Sequence, residues 1–274
     1  MTRPPSSFSA AIAALMISVA APIGAVILGA LASVGQAALF ALRVVVGLRA
    51  LRFRLWFQQM LEIGFFSLPV VGLTAAFSGL VLVLQSYAGL AELASPTLAA
   101  SSAPRVVLGA LVQELGPVLA GLMIAGRIGA AMAAEIGTMR VTEQIDALHT
   151  LSTDPISYLI TPRVLAATLM LPVLVLIANI IGIAAAYGLA VARLGLDPDT
   201  YLHVTWQAFA WGDVALGLTK AAVFGFLIAL ISTLQGYQSA GGAEGVGRAT
   251  RQAVVLSSIA VLASNYVITE WFFA

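Results

Sequence analysis

Two charged side chains lie inside apolar stretches of this sequence that are long enough to cross a membrane. Glu114 lies nine residues into the stretch 105–134, about 13 Å deep at roughly 1.5 Å per helical residue. A charge at such a depth costs a few kcal/mol and nearly always faces a cavity or a partner. Lys220 lies about six residues into the stretch 214–235. These two residues are therefore the candidates for a polar site within the membrane.

Pro117 adds a hydrogen-bond acceptor to this candidate site. Proline has no N–H group, so it cannot bond the carbonyl of Gln113, four residues earlier. We expect the helix to kink there and to leave that carbonyl free. Two roles stay open for Glu114, substrate contact and a structural buried ion pair. Two roles also stay open for Lys220: its side chain can extend to the outer surface, or it can lie at a polar headgroup near Glu114.

The composition is that of an integral membrane protein built from helices. Of the 274 residues, 61% are hydrophobic and 9% are charged, whereas soluble domains carry about 25% charged residues. The apolar runs are roughly 20 residues or longer, too long for the strands of a membrane barrel. The absence of cysteine excludes disulfides and thiolate catalysis. His149 and His203 fall in predicted loops, and we expect no metal site.

Five predicted spans position the charged side chains. They cover about residues 63–85, 105–134, 164–191, 214–235 and 253–273. The predicted connections are an outer loop at 86–104, a charged connector at 135–162, a second outer loop and a glycine-rich loop at 239–251. With a cytoplasmic N-terminus, nine arginines lie inside and two outside, in agreement with the positive-inside rule. The predicted fold class is an all-α integral membrane protein with an N-terminal interfacial region and five transmembrane helices.

The N-terminal 55 residues are predicted to form a hydrophobic extension, separate from the transmembrane domain at 56–274. Residues 8–32 fit a cleaved signal, an added span or a helix at the membrane interface, and we favour the interfacial helix. Between residues 35 and 62, arginines are mixed with large apolar side chains. This mixture favours a helix in the headgroup plane, with an ordinary juxtamembrane linker as the alternative.

The connector between the second and third spans has the features of a short cytoplasmic coupling helix. Val141, Ile145 and Leu148, at spacings of four and three, share one apolar face of a predicted helix at 141–151. Thr142 is predicted to cap this helix, with Glu143 and Asp146 in its first turn, near its positive end. Because anionic cytoplasmic lipid repels an acidic face, we expect the helix to dock onto a soluble protein.

The chain contains no complete nucleotide-binding motif. Residues 242–247 have the spacing of a phosphate loop, but Arg248 and Ala249 replace the required Lys and Ser/Thr, and no strand precedes them. The chain is therefore predicted not to hydrolyse ATP itself. Arg127, deep in the second span, is predicted to have a structural role by pairing with the backbone or another helix.

The sequence resembles the MlaE/YrbE permease family over about residues 55–274. The motifs that carry the resemblance are ELGP from Glu114, AGRIGAA from Ala125, AEIGTMRVTEQIDAL from Ala134, and later TPR, KAAVF and GRATR. Such permeases are membrane subunits of ABC systems that move phospholipid or other lipids together with MCE-domain proteins. The resemblance implies a homodimer in the bacterial inner membrane, a cytoplasmic ABC ATPase on the coupling helix and a periplasmic MCE protein. It implies no cofactor, since the ATPase uses the ATP.

The resemblance also implies roles for individual residues. The implied lipid pocket contains Gln113, Glu114, Tyr87, Leu82 and Lys220. The implied contacts to the ATPase come from the connector residues Arg140, Thr142, Glu143, Gln144, Asp146 and Leu148. Gln113 stands where a close relative has arginine, and Asn265 stands where a relative has aspartate.

The function predicted from the sequence is ATP-driven lipid transport that maintains the lipid asymmetry of the outer membrane. The alternative is a proton-coupled secondary transporter of a hydrophobic substrate, which would use Glu114 and Lys220. An intramembrane lipid enzyme is disfavoured because the chain lacks a His or Cys constellation. A scaffold without transport would leave the cost of burying Glu114 unexplained.

Overall fold

The fold is helical throughout the part of the chain that is described. The structure, a computed structural model, describes residues 24, 28–29, 31–93 and 95–273, and no β-strand occurs within these ranges. Five helical stretches are long and apolar enough to cross a membrane: Phe53–Leu93, Pro96–Val141, Ile156–Ala192, Trp211–Tyr237 and Gly242–Phe272. The predicted all-α membrane fold with five spans is confirmed.

The chain divides into two compact units, residues 1–43 and residues 44–274. A shorter apolar helix, α1, covers Leu31–Gly47 and is followed by a 3-10 turn at Leu48–Ala50. The prediction for residues 8–32 falls mostly outside the described residues. The predicted boundary between residues 55 and 56 stays a prediction.

The first three spans are assembled from shorter helical segments, whereas the last two are single helices. The first consists of α2 (Phe53–Ile63), a 3-10 turn (Phe65–Ser67) and α3 (Leu68–Leu93). The second consists of α4 (Pro96–Gly109), π1 (Ala110–Leu115), α5 (Gly116–Ile124), π2 (Ala125–Gly129) and α6 (Ala130–Val141). The remaining elements are α7 (Gln144–Thr150), π3 (Ile156–Ile160), α8 (Thr161–Ala192), α9 (Pro198–Ala208), α10 (Trp211–Tyr237) and α11 (Gly242–Phe273).

Helix α8 forms the centre of the bundle and packs most extensively against α3 and α10. Its contact with α3 is close because glycines face each other where the helices cross. A Cβ atom at Gly79 would overlap the carbonyl oxygen of Gly182. Such small-residue contacts let membrane helices gain van der Waals energy through close backbone approach.

The predicted outer loop at 86–104 is wrong. Helix α3 continues to Leu93, and α4 begins at Pro96. Ser95 caps α4 by accepting a hydrogen bond from the N–H of Leu98 at 3.2 Å. A proline is tolerated in the first turn of a helix, where its missing N–H would have no partner, so Pro96 starts a helix here rather than marking a loop.

The predicted loops around the two histidines and the glycines are also wrong. His149 lies in α7 and His203 in α9. Helix α11 already begins at Gly242, so most of the predicted loop 239–251 is helical. Gly241 and Gly242 have φ angles of 90° and 69°, which glycine adopts at little cost. The turn is therefore completed within a few residues and leaves the rest of the segment free to form helix.

Gly79→Ala is expected to destabilise the bundle, because the added methyl group meets backbone that cannot move aside. Overpacking of this kind costs roughly 1–3 kcal/mol, and thermal unfolding in detergent should shift to lower temperature. Gly89→Ala, in the same helix, is the control because a Cβ atom there meets no atom within 4 Å. Equal melting temperatures for the two variants would contradict the close crossing of α3 and α8.

Candidate functional site

The candidate site begins at a break in the regular hydrogen bonding of the second span. The helix widens into π1, where the N–H of Gly116 bonds the carbonyl of Leu111, five residues earlier. The next residue, Pro117, has no N–H to donate. The carbonyl of Gln113 instead accepts a hydrogen bond from the Nζ atom of Lys220 at 2.9 Å. The prediction of a free carbonyl at Gln113 is confirmed, and its partner is identified.

Lys220 reaches this carbonyl because α10 lies directly against π1. A Cβ atom at Gly217 would overlap the carbonyl oxygen of Val112, so glycine is required for the close approach of the two helices. Lys220 lies one turn further along α10 and is fully buried. Its ammonium group also donates to Oε1 of Glu114 at 2.5 Å. Lys220 therefore does not extend to the outer surface, and the prediction that it lies near Glu114 is confirmed.

Helix α11 supplies two further hydrogen bonds to Glu114. The Nδ2 atom of Asn265 donates to Oε2 of Glu114 at 2.9 Å, and Oγ1 of Thr269 lies 3.0 Å from Oε1. Asn265 and Thr269 are four residues apart and therefore share one face of the helix. We call Glu114, Lys220, Asn265, Thr269 and the carbonyl of Gln113 the intramembrane cluster.

The burial of the intramembrane cluster is uneven. The Lys220 side chain has no exposed surface, whereas 37% of the Glu114 side chain is exposed. The opposite charges of the pair balance each other, and the surrounding amide and hydroxyl groups supply further hydrogen bonds, as the low dielectric of a membrane requires. The arrangement can thus hold a carboxylate at the surface of the bundle within the membrane and present it to a ligand.

The other residues of the predicted lipid pocket lie on α3. Tyr87 is half-buried, and Leu82 packs with a hydrophobic cluster that includes Val107 and Leu111. Leu111 belongs to π1, so this cluster includes one residue of the segment that carries Glu114. Neither Tyr87 nor Leu82 is among the residues that bond the Glu114 carboxylate. Their contact with lipid stays a prediction.

The connector forms a tight turn between α6 and α7. Thr142 is the C-terminal cap residue of α6, and its hydroxyl donates a hydrogen bond to the carbonyl of Thr138 at 2.8 Å. The prediction that Thr142 caps α7 is therefore wrong, because its hydroxyl satisfies the preceding helix instead. Glu143 occupies the cap position in a left-handed conformation with φ of 59°, which costs a non-glycine residue roughly 1–2 kcal/mol. The Nε2 atom of Gln144 donates to Oγ1 of Thr142 at 3.1 Å.

The charge of α7 differs from the predicted acidic face. Asp146 lies in the first turn, as expected, but it forms an ion pair with Arg140 at 2.5 Å. The guanidinium of Arg140 also lies 5.9 Å from the centre of the Tyr237 ring. Glu143, at the cap of this helix, is exposed and forms no ion pair with any described residue. It is therefore the acidic side chain of this segment that stays available to a partner.

The apolar face of α7 is directed into the protein. Ile145 is completely buried and Leu148 is half-buried. Val141, predicted to share this face, is instead the last residue of α6, because the turn at Thr142 and Glu143 separates the two helices.

Beyond α7, the carboxylate of Asp154 accepts hydrogen bonds from the N–H groups of Ile156 and Ser157 and from the Ser157 hydroxyl. Burial would raise the pKa of Asp154, but the hydrogen bonds from Ser157 and Ile156 outweigh it and hold the pKa below its usual value. The ionised carboxylate thus fixes the start of π3.

Two arginines tie the inner parts of the spans together. Nη1 of Arg127 donates to Oγ of Ser67 at 2.5 Å, so the prediction that Arg127 pairs with another element is confirmed. Nη2 of Arg163 forms an ion pair with Glu135 at 2.8 Å. These contacts join the second span to the first and third spans.

The sequence did not identify Thr269, and it did not predict a hydrogen bond between Asn265 and Glu114. Their spacing of four residues places them on one side of the last span, and this was the available signal. Small polar residues are common in membrane helices, because serine and threonine also bond their own backbone. The sequence alone therefore does not indicate which of them face Glu114.

A family model for the permease MlaE matches residues 56–271 of this sequence. The match covers all five spans and the complete intramembrane cluster. The chain belongs to the MlaE permease family. The comparison thus confirms the resemblance carried by the motifs around Glu114 and along the connector.

Several curated proteins are similar in sequence to this chain over most of its length. A protein of Rickettsia bellii named probable ABC transporter permease is 51% identical over 261 residues, covering 94% of this chain and 99% of its own. A Synechocystis protein of similar name is 40% identical over 212 residues, covering 77% and 79% of the two chains. The chloroplastic protein trigalactosyldiacylglycerol 1 of Arabidopsis thaliana is 38% identical over 216 residues, covering 79% and 61%.

Lys220→Met is expected to destabilise the permease, because it leaves the Glu114 charge and the Gln113 carbonyl without their partner. The loss should fall between the roughly 1 kcal/mol of an exposed ion pair and the 3–5 kcal/mol of a fully buried one, since Glu114 is partly exposed. Thermal unfolding in detergent measures it.

The double variant Lys220→Met/Glu114→Gln serves as the control, because it removes both charges together. It should be more stable than Lys220→Met alone. Strictly additive losses from the two single substitutions would contradict a direct pairing of these side chains.

Proposed function

We propose that this protein is the membrane subunit of an ATP-driven ABC transporter that moves phospholipid between the bacterial inner membrane and a periplasmic MCE protein. Such transport would maintain the lipid asymmetry of the outer membrane. Two copies of the chain would form the lipid pathway, and a separate cytoplasmic ATPase would bind and hydrolyse the ATP. The permease itself would need no cofactor.

The observation that carries this proposal is the partly exposed carboxylate of Glu114 inside a span. In hydrocarbon such a group needs a polar partner on its open side. A lipid headgroup drawn into the membrane provides this partner, while its acyl chains stay against the apolar surface of the spans. The names of the relatives agree with this proposal, since two are called probable ABC transporter permeases and one carries the name of a lipid.

A second copy of the chain is supported by the exposed face of α11. Only 17% of the most apolar part of this span is buried, against 33–50% in the other four spans. Its exposed apolar residues recur at helical spacing: Val255, Ile259, Leu262 and Tyr266. Asn265 and Thr269, which bond Glu114, lie three residues after Leu262 and Tyr266, so the Glu114-bonding side of the helix adjoins this exposed face. Pairing of two α11 faces would therefore place the two intramembrane clusters beside a shared pathway.

We propose that the ATPase docks at α7, because this helix packs into the permease through Ile145 and exposes Glu143. A force applied to α7 reaches α6 directly, since the short turn at Thr142 and the ion pair between Arg140 and Asp146 join the two helices. Helix α6 continues through π2 and α5 to Glu114. The second span thus provides one continuous mechanical path from the cytoplasmic surface to the intramembrane cluster.

Purification of the permease with its natural partners tests the proposal as a whole. A co-purified ATPase and a bound phospholipid, identified by mass spectrometry, would support it. Lipid transport in vesicles that proceeds without any ATPase would overturn it in favour of a proton-coupled transporter.

Glu143→Lys is expected to weaken binding of the ATPase, because it reverses the exposed charge on α7. Co-purification of the ATPase measures the effect, and charge reversal of the contacting residue in the ATPase should restore binding. Glu92→Lys, at the outer end of α3, is the matched control and should bind normally. Undiminished binding by Glu143→Lys would contradict docking at α7.

Single cysteines at Ile259, Leu262 and Tyr266 should give disulfide-linked dimers on oxidation in membranes, since equivalent residues approach each other across a two-fold axis. The natural chain has no cysteine, so no background cross-link arises within it. A cysteine at Phe77, an exposed residue of α3, is the control. If none of the three α11 positions cross-links more than the Phe77 position, the proposed dimer face is wrong.

A further inference from the structure

The intramembrane cluster has more hydrogen-bond acceptors than accessible donors. A carboxylate offers about four acceptor positions, and the structure gives Glu114 three donors: Lys220, Asn265 and Thr269. Oε1 receives two of them and Oε2 receives one. One position on Oε2 is therefore open, on a side chain that is 37% exposed.

The neighbouring groups add to this excess of acceptors. The Oδ1 atom of Asn265 is buried and has no hydrogen-bond partner among the described residues. The Thr269 hydroxyl has one proton but lies within reach of two acceptors, Oε1 of Glu114 and the carbonyl of Asn265, at 3.0 and 2.9 Å. When this proton bonds the carbonyl, a second position on Glu114 becomes open.

The donors of the cluster are turned inward. The ammonium group of Lys220 has three N–H bonds, but its side chain is fully buried and two of these bonds are directed to Glu114 and the Gln113 carbonyl. A ligand outside the bundle therefore meets the carboxylate and not the ammonium. Residue 113 itself, as glutamine, adds no positive charge.

We propose that this site selects a lipid headgroup with a primary ammonium group, as in phosphatidylethanolamine, over headgroups without N–H donors. The inference rests on the proposed function, because it assumes that a lipid headgroup reaches Glu114. A primary ammonium brings a positive charge and three N–H donors, of which one or two can bond the open positions on Glu114. The trimethylated ammonium of phosphatidylcholine has the same charge but no N–H, and phosphatidylglycerol brings a negative charge instead.

The test is a competition between lipids with identical acyl chains. The complete transporter is placed in nanodiscs that contain equal amounts of phosphatidylethanolamine, phosphatidylcholine and phosphatidylglycerol, and the lipid that stays bound after extraction is measured by mass spectrometry. We expect about tenfold enrichment of phosphatidylethanolamine over phosphatidylcholine, because one hydrogen bond to a charged group contributes about that factor. Phosphatidylglycerol should be the least enriched.

Substitutions separate the intramembrane cluster from the rest of the pocket. Asn265→Leu and Glu114→Gln should each reduce the preference for phosphatidylethanolamine toward the composition of the nanodisc. Ser257→Ala is the matched control: Ser257 is also a buried polar residue of α11 with an unpartnered side-chain oxygen, but it lies eight residues before Asn265, about 12 Å along the helix. This variant should keep the wild-type preference.

The outcomes distinguish this inference from the proposed function. Bound lipid with equal amounts of phosphatidylethanolamine and phosphatidylcholine, or with an excess of phosphatidylglycerol, would overturn the headgroup preference and leave lipid transport standing. The same loss of preference in the Ser257→Ala and Asn265→Leu variants would also overturn it. A transporter that retains no lipid at all would contradict the proposed function itself.

Discussion

The structure depends on the requirement that polar groups inside a membrane find partners within the protein. Pro117 removes one N–H from the second span, and the carbonyl of Gln113 is left without its helical bond. Lys220 supplies the missing donor. Its charge in turn requires a carboxylate, and Glu114 provides it. The missing N–H of a single proline thus gives a physical reason for the pairing of Lys220 with this part of the second span.

Close backbone packing makes this arrangement geometrically feasible. Lys220 can reach π1 only because Gly217 lets α10 lie against Val112. The last span then completes the cluster, since Asn265 and Thr269 contact the carboxylate from the other side. Three of the five spans therefore meet at Glu114. A change in the position of any one of them alters the hydrogen bonding of the exposed carboxylate, and this connects packing to the handling of a ligand.

Much of this fold follows from the sequence, but the ends of its helices do not. Long apolar runs identify the five spans because only helices satisfy their backbone in lipid. The proline rule correctly predicts the free carbonyl at Gln113. Pro96 and the glycines near Gly242 were misleading, because each marks a loop in general but starts a helix here. Local capping by Ser95 decides the first case, and such capping depends on atomic geometry.

The candidate site was only partly predictable for a related reason. The depth of Glu114 and Lys220 in their spans indicates that both need partners, and mutual pairing is one of few solutions. The partners from α11 depend on how that helix is rotated, which hydrophobic periodicity determines poorly because both the buried and the lipid-facing sides of a membrane helix are largely apolar. The pairing of Asp146 with Arg140 likewise depends on the tight turn at Glu143, which the sequence pattern does not show.

The most direct test of the central claim uses the single lysine of this chain. Labelling lysine with nitrogen-15 and the carboxyl carbon of glutamate with carbon-13 allows their distance to be measured by solid-state NMR of the permease in lipid. The side-chain nitrogen of Lys220 should show strong dipolar coupling to one glutamate carboxyl carbon, and Glu114→Gln should abolish it. A lysine signal without such coupling would show that the ammonium and the carboxylate are apart, and the account would be wrong.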